Sequence, residues 1–463
     1  MALRKALIGL LVLIAVTDTY ASHHQSTLAP RRRSNTGHKS HHQKRGCSAP
    51  SSAVASASQA LLTSTAGGFV SVAYYANYDI YNVEPYYPSD LPVTELTHVI
   101  YGFAQISPNG TVSAGDTYAD MINKVPGDAS GESGTNVYGN FKQLFLLKAQ
   151  NRNLKTILSI GGGGAKNFEY INDTSYRAAF VKSAVQMLED FGFDGIDIDW
   201  EFPSGEQTTY LYTLYSGLRV ALDDLAGQTN TTPFLLGIDV PGGGAFPPYT
   251  SYIHKFDQIV DLVFSMDYCN CESNYQPTAC DNANLRGGAA NTTSTIEWLI
   301  ENGATPGKIV MGSPLFGYVY AGTAGHDQPY DSTKTPPGDG NGLGTYAVKN
   351  LPLASMDNAT ISMDNETVAS WAYHSETQTL ASYDTPEIAA MKAEWIVEQK
   401  LAGAMYWEIS NDHDTTETSL VSQYAAAFQK AGGGLASSCN HLYYPDSKSV
   451  LHLLKICPEF ARD

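Results

Sequence analysis

Eight short apolar runs punctuate the chain, at residues 70–75, 97–103, 155–160, 194–201, 234–240, 261–268, 308–314 and 403–408. Each has the length of a strand, and the segments between them repeat their apolar residues at helical spacing. Phe180, Ala184, Val185 and Leu188 share one face before the fourth run, and Leu211, Leu214, Leu218, Leu222 and Leu225 share one after it. Thr385-Pro386 supplies a helix N-cap and a first-turn proline, and Ile388, Met391 and Trp395 then recur before the eighth run. Strands alternating with amphipathic helices imply a parallel sheet of the α/β class, and eight of them close naturally into a (β/α)8 TIM barrel. An open doubly wound sheet is the structural alternative. The interval 319–402 is unevenly long, and its Gly/Pro-rich Pro336-Pro337-Gly338-Asp339-Gly340 and strand-like pieces predict a small α+β insertion at about 319–380, between strands seven and eight.

The fourth run carries the chemistry. From Phe193 to Glu201 acidic and apolar residues alternate, so Asp197, Asp199 and Glu201 share one face of a strand and Ile196, Ile198 and Trp200 the other. Taken alone, the acidic face suits a solvated strand as well as an enclosed site. A calcium loop fits poorly, because Trp200 follows Asp199 where such a loop needs its turn glycine. A barrel favours the enclosed site: active groups gather at the C-terminal strand ends, which puts Glu201 at the mouth with Asp199 and Asp197 below it. Carboxylates that close cannot all ionise, so a proton is shared and a general acid results, titrating as a coupled group. One dominant acid suggests glycosidic cleavage. The usual glycosidase needs a second carboxylate across the bond, for which Asp239 at the end of strand five is a nominee.

Charge and cysteines narrow the partners. The net charge of −18 over 463 residues conceals a basic start: residues 1–46 sum to +7, which leaves −25 for the rest. A body that acidic excludes nucleic acid as a partner and suits neutral or cationic substrates. Arg4-Lys5, an apolar stretch from Ala6 to Val16 and a small-residue exit have the layout of a secretory signal over 1–21, too short to anchor the chain stably in a membrane. Residues 22–66 read as a basic pro-segment, clipped after Arg45, or as a disordered linker. The catalytic body spans 67–432, and 433–463 form a tail with two cysteines. Export predicts disulfides among the six cysteines, Cys271 with Cys280 and Cys439 with Cys457 being the local pairs. Sequons at Asn109, Asn172, Asn230, Asn291, Asn358 and Asn365 also suit a secreted, extracellular glycoprotein.

The pattern Asp194-x-x-Asp197-x-Asp199-x-Glu201 resembles the active-site signature of glycoside hydrolase family 18 chitinases, with all four acids present. Tyr101-Gly102-Phe103-Ala104 is similar to the family's second-strand motif, Ser159-Ile160-Gly161-Gly162 to its third, and Met266-x-Tyr268 to its sixth. Trp407 resembles the tryptophan that floors the reacting subsite, and the insertion resembles that of the family's subgroup with a deepened cleft. The likeness runs over roughly 69–430.

The resemblance implies a secreted enzyme acting on chitin or chitin oligosaccharides, with the substrate's own 2-acetamido oxygen as nucleophile and overall retention. Glu201 would be the general acid/base. Asp199 would orient the acetamido nitrogen, Asp197 would hold the proton that lets Asp199 turn, and Tyr268 would hydrogen-bond the acetamido oxygen. Trp407, Tyr101, Phe103, Met266 and Asp194 would contact substrate, although Asp194 precedes the strand, where bracing backbone amides is a competing role. The chain departs from the family at Cys269, where an acid is usual, and at Tyr318, where an arginine is usual. A nearby disulfide is an alternative use of Cys269. No metal or organic cofactor is called for, and the enzyme is expected to be a monomer. An endo-β-N-acetylglucosaminidase acting on N-glycan cores and a non-catalytic chitin-binding lectin are the alternative functions.

Overall fold

A computed structural model describes residues 67–126, 128, 136–271, 277–339 and 342–447. The signal, the pro-segment and Cys457 lie outside these residues, so the proposed partner of Cys439 does too.

All eight apolar runs form strands: β1 (Val70–Ala76), β2 (His98–Ile106), β3 (Lys155–Gly161), β4 (Gly195–Asp199), β5 (Leu235–Pro241), β6 (Leu262–Met266), β7 (Ile309–Pro314) and β8 (Gly403–Trp407). They pair in parallel in chain order, and β8 pairs β1 to close the barrel. Among the described residues seven α-helices follow the strands in turn: α1 (Gly139–Gln150), α2 (Thr174–Phe191), α3 (Gly205–Thr229), the short α4 (Ile253–Phe256), α5 (Thr292–Glu301), α6 (Pro386–Gln399) and α7 (Leu420–Lys430). The connection from β1 to β2 carries two 3-10 turns in place of an α-helix. Pro85, Pro88 and Pro92 account for this, since each removes a backbone donor and clashes within a continuing helix.

The helix faces lie where periodicity puts them. On α2, Phe180, Ala184 and Leu188 are buried and Val185 half-buried. Asp173 caps that helix by accepting from the amides of Ser175 (2.6 Å) and Tyr176 (3.0 Å), and Gly192 ends it in the left-handed region. On α3 the five predicted leucines are all buried. Two apolar layers result. One lies between strands and helices and includes Ile196, Ile198 and Trp200; the other fills the barrel from Val72, Ile100, Ile157, Phe264, Val310 and Met405.

The insertion begins at Phe316 and is a five-stranded antiparallel sheet of Phe316–Ala321, Thr345–Ala347, Thr360–Asp364, Ala369–His374 and Thr379–Ser382. The expected α+β character is not seen: among the described residues its helical content is confined to 3-10 turns, and α6 lies beyond it. Its apolar core of Phe316, Tyr318, Tyr320 and Leu380 packs against Tyr268 and Trp407 at the barrel mouth. The disulfide Cys271–Cys280 is present at its flank.

Residues 435–447 close the opposite end. Asn440 donates to the carbonyls of Lys148, Asn151 and Leu154, the His441 ring stacks on Phe234 at 4.2 Å, and the Tyr444 hydroxyl donates to Phe193 O at 2.8 Å. This stretch of the tail is therefore packed onto the barrel body.

Candidate active site

The inward face of β4 stacks Asp197, Asp199 and, just past the strand, Glu201 in a column rising to the mouth. Parallel register places Ser159 of β3 and Gly237 of β5 beside Asp197. Ser159 Oγ donates to Asp197 Oδ2 at 2.7 Å. A side chain at Gly237 would not fit, since a Cβ there would stand 2.9 Å from Asp197 Oδ1 and 2.7 Å from the Phe264 ring. The column is thus accommodated by small neighbours. Gly161, at φ +129°, lets β3 turn away beside the carbonyl of Asp199, where any Cβ would lie 2.0 Å from that oxygen.

Asp197, Asp199 and Asp239 are buried, whereas Glu201 is open to solvent. Burial raises the pKa of Asp197, against which a side-chain hydrogen bond with Asp239 and then the Ser159 and Tyr74 hydroxyls act. Burial, with the charges of Glu201 and Asp197 added, pushes Asp199 well above the carboxylate range. Asp239 is raised well above it by burial and then by Asp197 and Asp199. The crowd of protein atoms around the Glu201 carboxyl raises its pKa as well. Among the described residues neither Asp197 Oδ1 nor Asp199 Oδ1 meets a hydrogen-bond donor. Burial and mutual charge both favour sharing a proton among these carboxyls over ionising all of them.

Tyr268 follows β6, with its ring edge-on to Phe316 at 5.8 Å. Burial and the charges of Asp239, Cys269, Asp199 and Glu201 raise its pKa well above 10, so it is a neutral hydroxyl. Trp407 ends β8, 5.3 Å from Tyr74 and 5.9 Å from Phe103 between ring centroids. Met266 is half-buried against the same interior layer. These residues converge with the carboxylate column at the C-terminal end of the barrel.

Two predicted contacts do not. Tyr101 is turned outward, packed on Tyr75, Phe141 and Phe193, with its hydroxyl donated to Asp120. Alternation would put Tyr101 and Phe103 on one face, but β2 carries an extra residue here. Tyr101 pairs with Leu158 and Ala104 already with Ile160, and this bulge returns Phe103 alone to the interior. Asp194 lies at the far end of β4. It accepts from the amides of Thr156 and His441, each at 2.7 Å, and pairs with the buried Lys148 at 2.8 Å. It braces the bottom of the barrel and is remote from the mouth.

Asp239, the nominee for a second carboxylate, is buried beside Asp197 on the floor of the column. Tyr74 joins the two: its hydroxyl lies 3.0 Å from Asp197 Oδ2 and 3.0 Å from Asp239 Oδ2. Sequence reasoning passed over Tyr74, though its parity with Val70 and Val72 put it on the inward face of β1. The two departures at the mouth prove to be neighbours, for the Tyr318 hydroxyl donates to Cys269 Sγ at 3.1 Å. Cys269 lies outside the disulfide, which joins Cys271 and Cys280.

The chain is thus a closed (β/α)8 barrel with a column of buried carboxyls beneath a solvent-open glutamate at its mouth. Residues 70–412 match Glycosyl hydrolases family 18, and the chain belongs to that family. It is 36% identical over 399 residues to Endochitinase 1 of Metarhizium robertsii, covering 83% of this chain and 90% of that one. To Chitinase 1 of Aphanocladium album it is 35% identical over 407 residues, covering 84% and 92%. Its fold matches that of the chitinase ChiA74 from Bacillus thuringiensis with a TM-score of 0.70 at 24% identity, covering 80% of this chain and 71% of that one.

Proposed function

We propose that the protein is a secreted chitinase that hydrolyses β-1,4-linked N-acetylglucosamine polymers by substrate-assisted, retaining catalysis. The observation that carries the mechanism is Asp199: a buried carboxyl directly below Glu201 with one oxygen that meets no donor among the described residues. Such an oxygen is an acceptor waiting for a donor from outside the protein, and the N–H of a 2-acetamido group is one. The relatives named as chitinases support the substrate class.

In this reading the sugar rests on Trp407, with Phe103 and Met266 beside it. Glu201 gives its proton to the glycosidic oxygen as the bond to the anomeric carbon breaks. The acetamido oxygen attacks that carbon and forms an oxazolinium ion on the same sugar. Asp199 accepts the acetamido N–H and its charge balances the cation, while the Tyr268 hydroxyl donates to the acetamido oxygen and holds it in line. Holding a tethered nucleophile at the reacting carbon can supply up to about 7–11 kcal/mol of barrier lowering. Asp197 takes up the proton that Asp199 releases as it turns, with Ser159 and Tyr74 stabilising the charge that moves. Water then opens the oxazolinium from the face the leaving group left, and Glu201 takes its proton, so configuration is retained.

The test is product analysis on a six-sugar chitin oligomer with detection of the anomers formed. Products born as the β-anomer, and loss of cleavage in a folded Glu201→Gln variant, are expected. Undiminished turnover by that variant would sink the mechanism. Glycan release from a glycoprotein in place of oligomer cleavage would turn the reading to an endoglycosidase, and binding without cleavage at any pH to a lectin.

A further inference from the structure

A second pair of acids stands behind Trp407. Asp79 lies in the 3-10 turn Asn77–Tyr81 that leaves β1, and Glu408 directly follows Trp407 at the end of β8. Both are buried, and both converge on one hydroxyl: Ser410 Oγ is 3.0 Å from Asp79 Oδ1 and 3.2 Å from Glu408 Oε1. A single hydroxyl proton serves one of them at a time. Asp79 also accepts from the Ala76 amide at 3.1 Å and from Asn82 Nδ2 at 3.3 Å. Glu408 accepts from the Tyr78 hydroxyl at 2.8 Å. Asp79 is therefore the better solvated by donors and the natural seat of a charge, and Glu408 is the natural holder of a proton.

The pair ties together two aromatic side chains of the mouth. Glu408 is peptide-bonded to Trp407, whose indole forms the proposed sugar floor, and it holds the hydroxyl of Tyr78, whose ring is 43% exposed at the exit of β1. We propose that Asp79 and Glu408 are positioning residues that carry one negative charge between them, and that loss of their remaining proton loosens Trp407 and Tyr78 and so weakens substrate binding. The inference rests on the chitin-binding reading of the mouth and extends it to pH control of affinity.

Electrostatics agree with the geometry. Burial lifts Asp79 to about 6, and Glu408 is lifted well above its ordinary value by burial and by Asp79. The groups facing the pair are the phenols of Tyr75 on β1, Tyr78 on the same turn and Tyr86 in the β1–β2 connection, all raised and neutral. Asp90, Asp412 and Asp414 are the other acids that act on Tyr86, and the acid that opposes ionisation of Glu408 is Asp79 itself. Affinity is thus retained while one proton remains and falls once the pair becomes a dianion.

The experiment measures calorimetric affinity for the six-sugar chitin oligomer in the full chain bearing Glu201→Gln, from about pH 6 to about pH 9, alone and combined with Glu408→Gln or Asp79→Asn. With the pair intact Kd is expected to rise about tenfold over this range, and to change less than about twofold in either combined variant. Parallel pH dependences in all three would overturn the inference, as would unfolding of both combined variants, since the pair would then serve stability alone. Failure of Glu201→Gln itself to bind the oligomer at any pH would overturn the substrate reading and this inference with it.

Discussion

The Tyr74 hydroxyl sits 3.0 Å from Asp197 Oδ2 while reaching Asp239 Oδ2 at the same distance, so one proton is offered to two buried carboxyls. Burial and the charges of Asp197 and Asp239 push the Tyr74 pKa well above 10, and it remains a donor at any working pH. This single contact ties β1 to β4 and β5 at the floor of the carboxyl column.

Tyr74→Phe therefore keeps the ring and removes the donor. We expect kcat on a chitin oligomer to fall roughly ten- to hundredfold with KM nearly unchanged, the size of one lost buried hydrogen bond of about 1–3 kcal/mol. Steady-state kinetics decide it; a rise in KM alone would place Tyr74 in binding and not in the column.

Asp199→Asn removes the carboxyl with which Glu201 titrates as a coupled group. Burial raises Glu201, and burial with the charges of Glu201 and Asp197 raises Asp199, so the alkaline limb of the kcat profile set by this coupled pair lies above the ordinary carboxylate range. Without Asp199 that limb is expected to move about one pH unit toward acid, alongside a large fall in kcat. An unmoved limb in the pH–rate profile would separate Asp199 from the titration of Glu201.

Stability should fall as pH rises from about 4 to about 7. Asp79 and Asp120 are raised to about 6 and Asp267 to about 7, each by burial, from an ordinary 3.8. In that window the folded chain binds more protons than the unfolded one, so the unfolding free energy has a negative slope against pH. Stability from these groups is whole below about 4 and is lost through their folded values. Asp267 alone accounts for a loss on the order of 4 kcal/mol across the window. Thermal melts of Asp267→Asn should show a shallower decline of Tm from pH 4 to 7 than the parent; equal slopes would contradict the assignment.

At the barrel bottom, Lys148 and Asp194 form a fully buried ion pair at 2.8 Å, with Lys148 also donating to Gly192 O at 2.5 Å and to the Tyr444 hydroxyl at 3.1 Å. Lys148→Met leaves Asp194 charged without its cation. A loss of about 3–5 kcal/mol in denaturant unfolding is expected, with kcat/KM unchanged at low temperature. A large drop in kcat/KM at unchanged stability would return Asp194 to the substrate.

Much of this was legible in the chain itself. Period-two alternation put Asp197, Asp199 and Glu201 on one face, and period 3.6 marked Phe180 to Leu188 and Leu211 to Leu225 as buried stripes. These are local properties, written in neighbouring residues and independent of what packs above them. Counting eight such strands was enough to expect a barrel. The motif resemblance set Tyr101 beside Phe103 at the substrate, whereas a bulge in β2 that arises from its pairing with β3 and leaves no local signature separates the two.

Other features depended on residues far apart. That Asp194 meets Lys148 is decided by the packing of α1 on the barrel, and that it meets the backbone of His441, 247 positions away, by the tail folding under it. That Tyr74 reaches Asp197 and Asp239, and that Cys269 meets Tyr318, follows from strand order and from the insertion's packing. The sequence by itself determined which residues are strands, which faces are apolar and where the acids stand along one strand. Only the tertiary structure decided which of those residues meet at the mouth and which at the floor, because side-chain periodicity sets a face while closure of the barrel sets its neighbours.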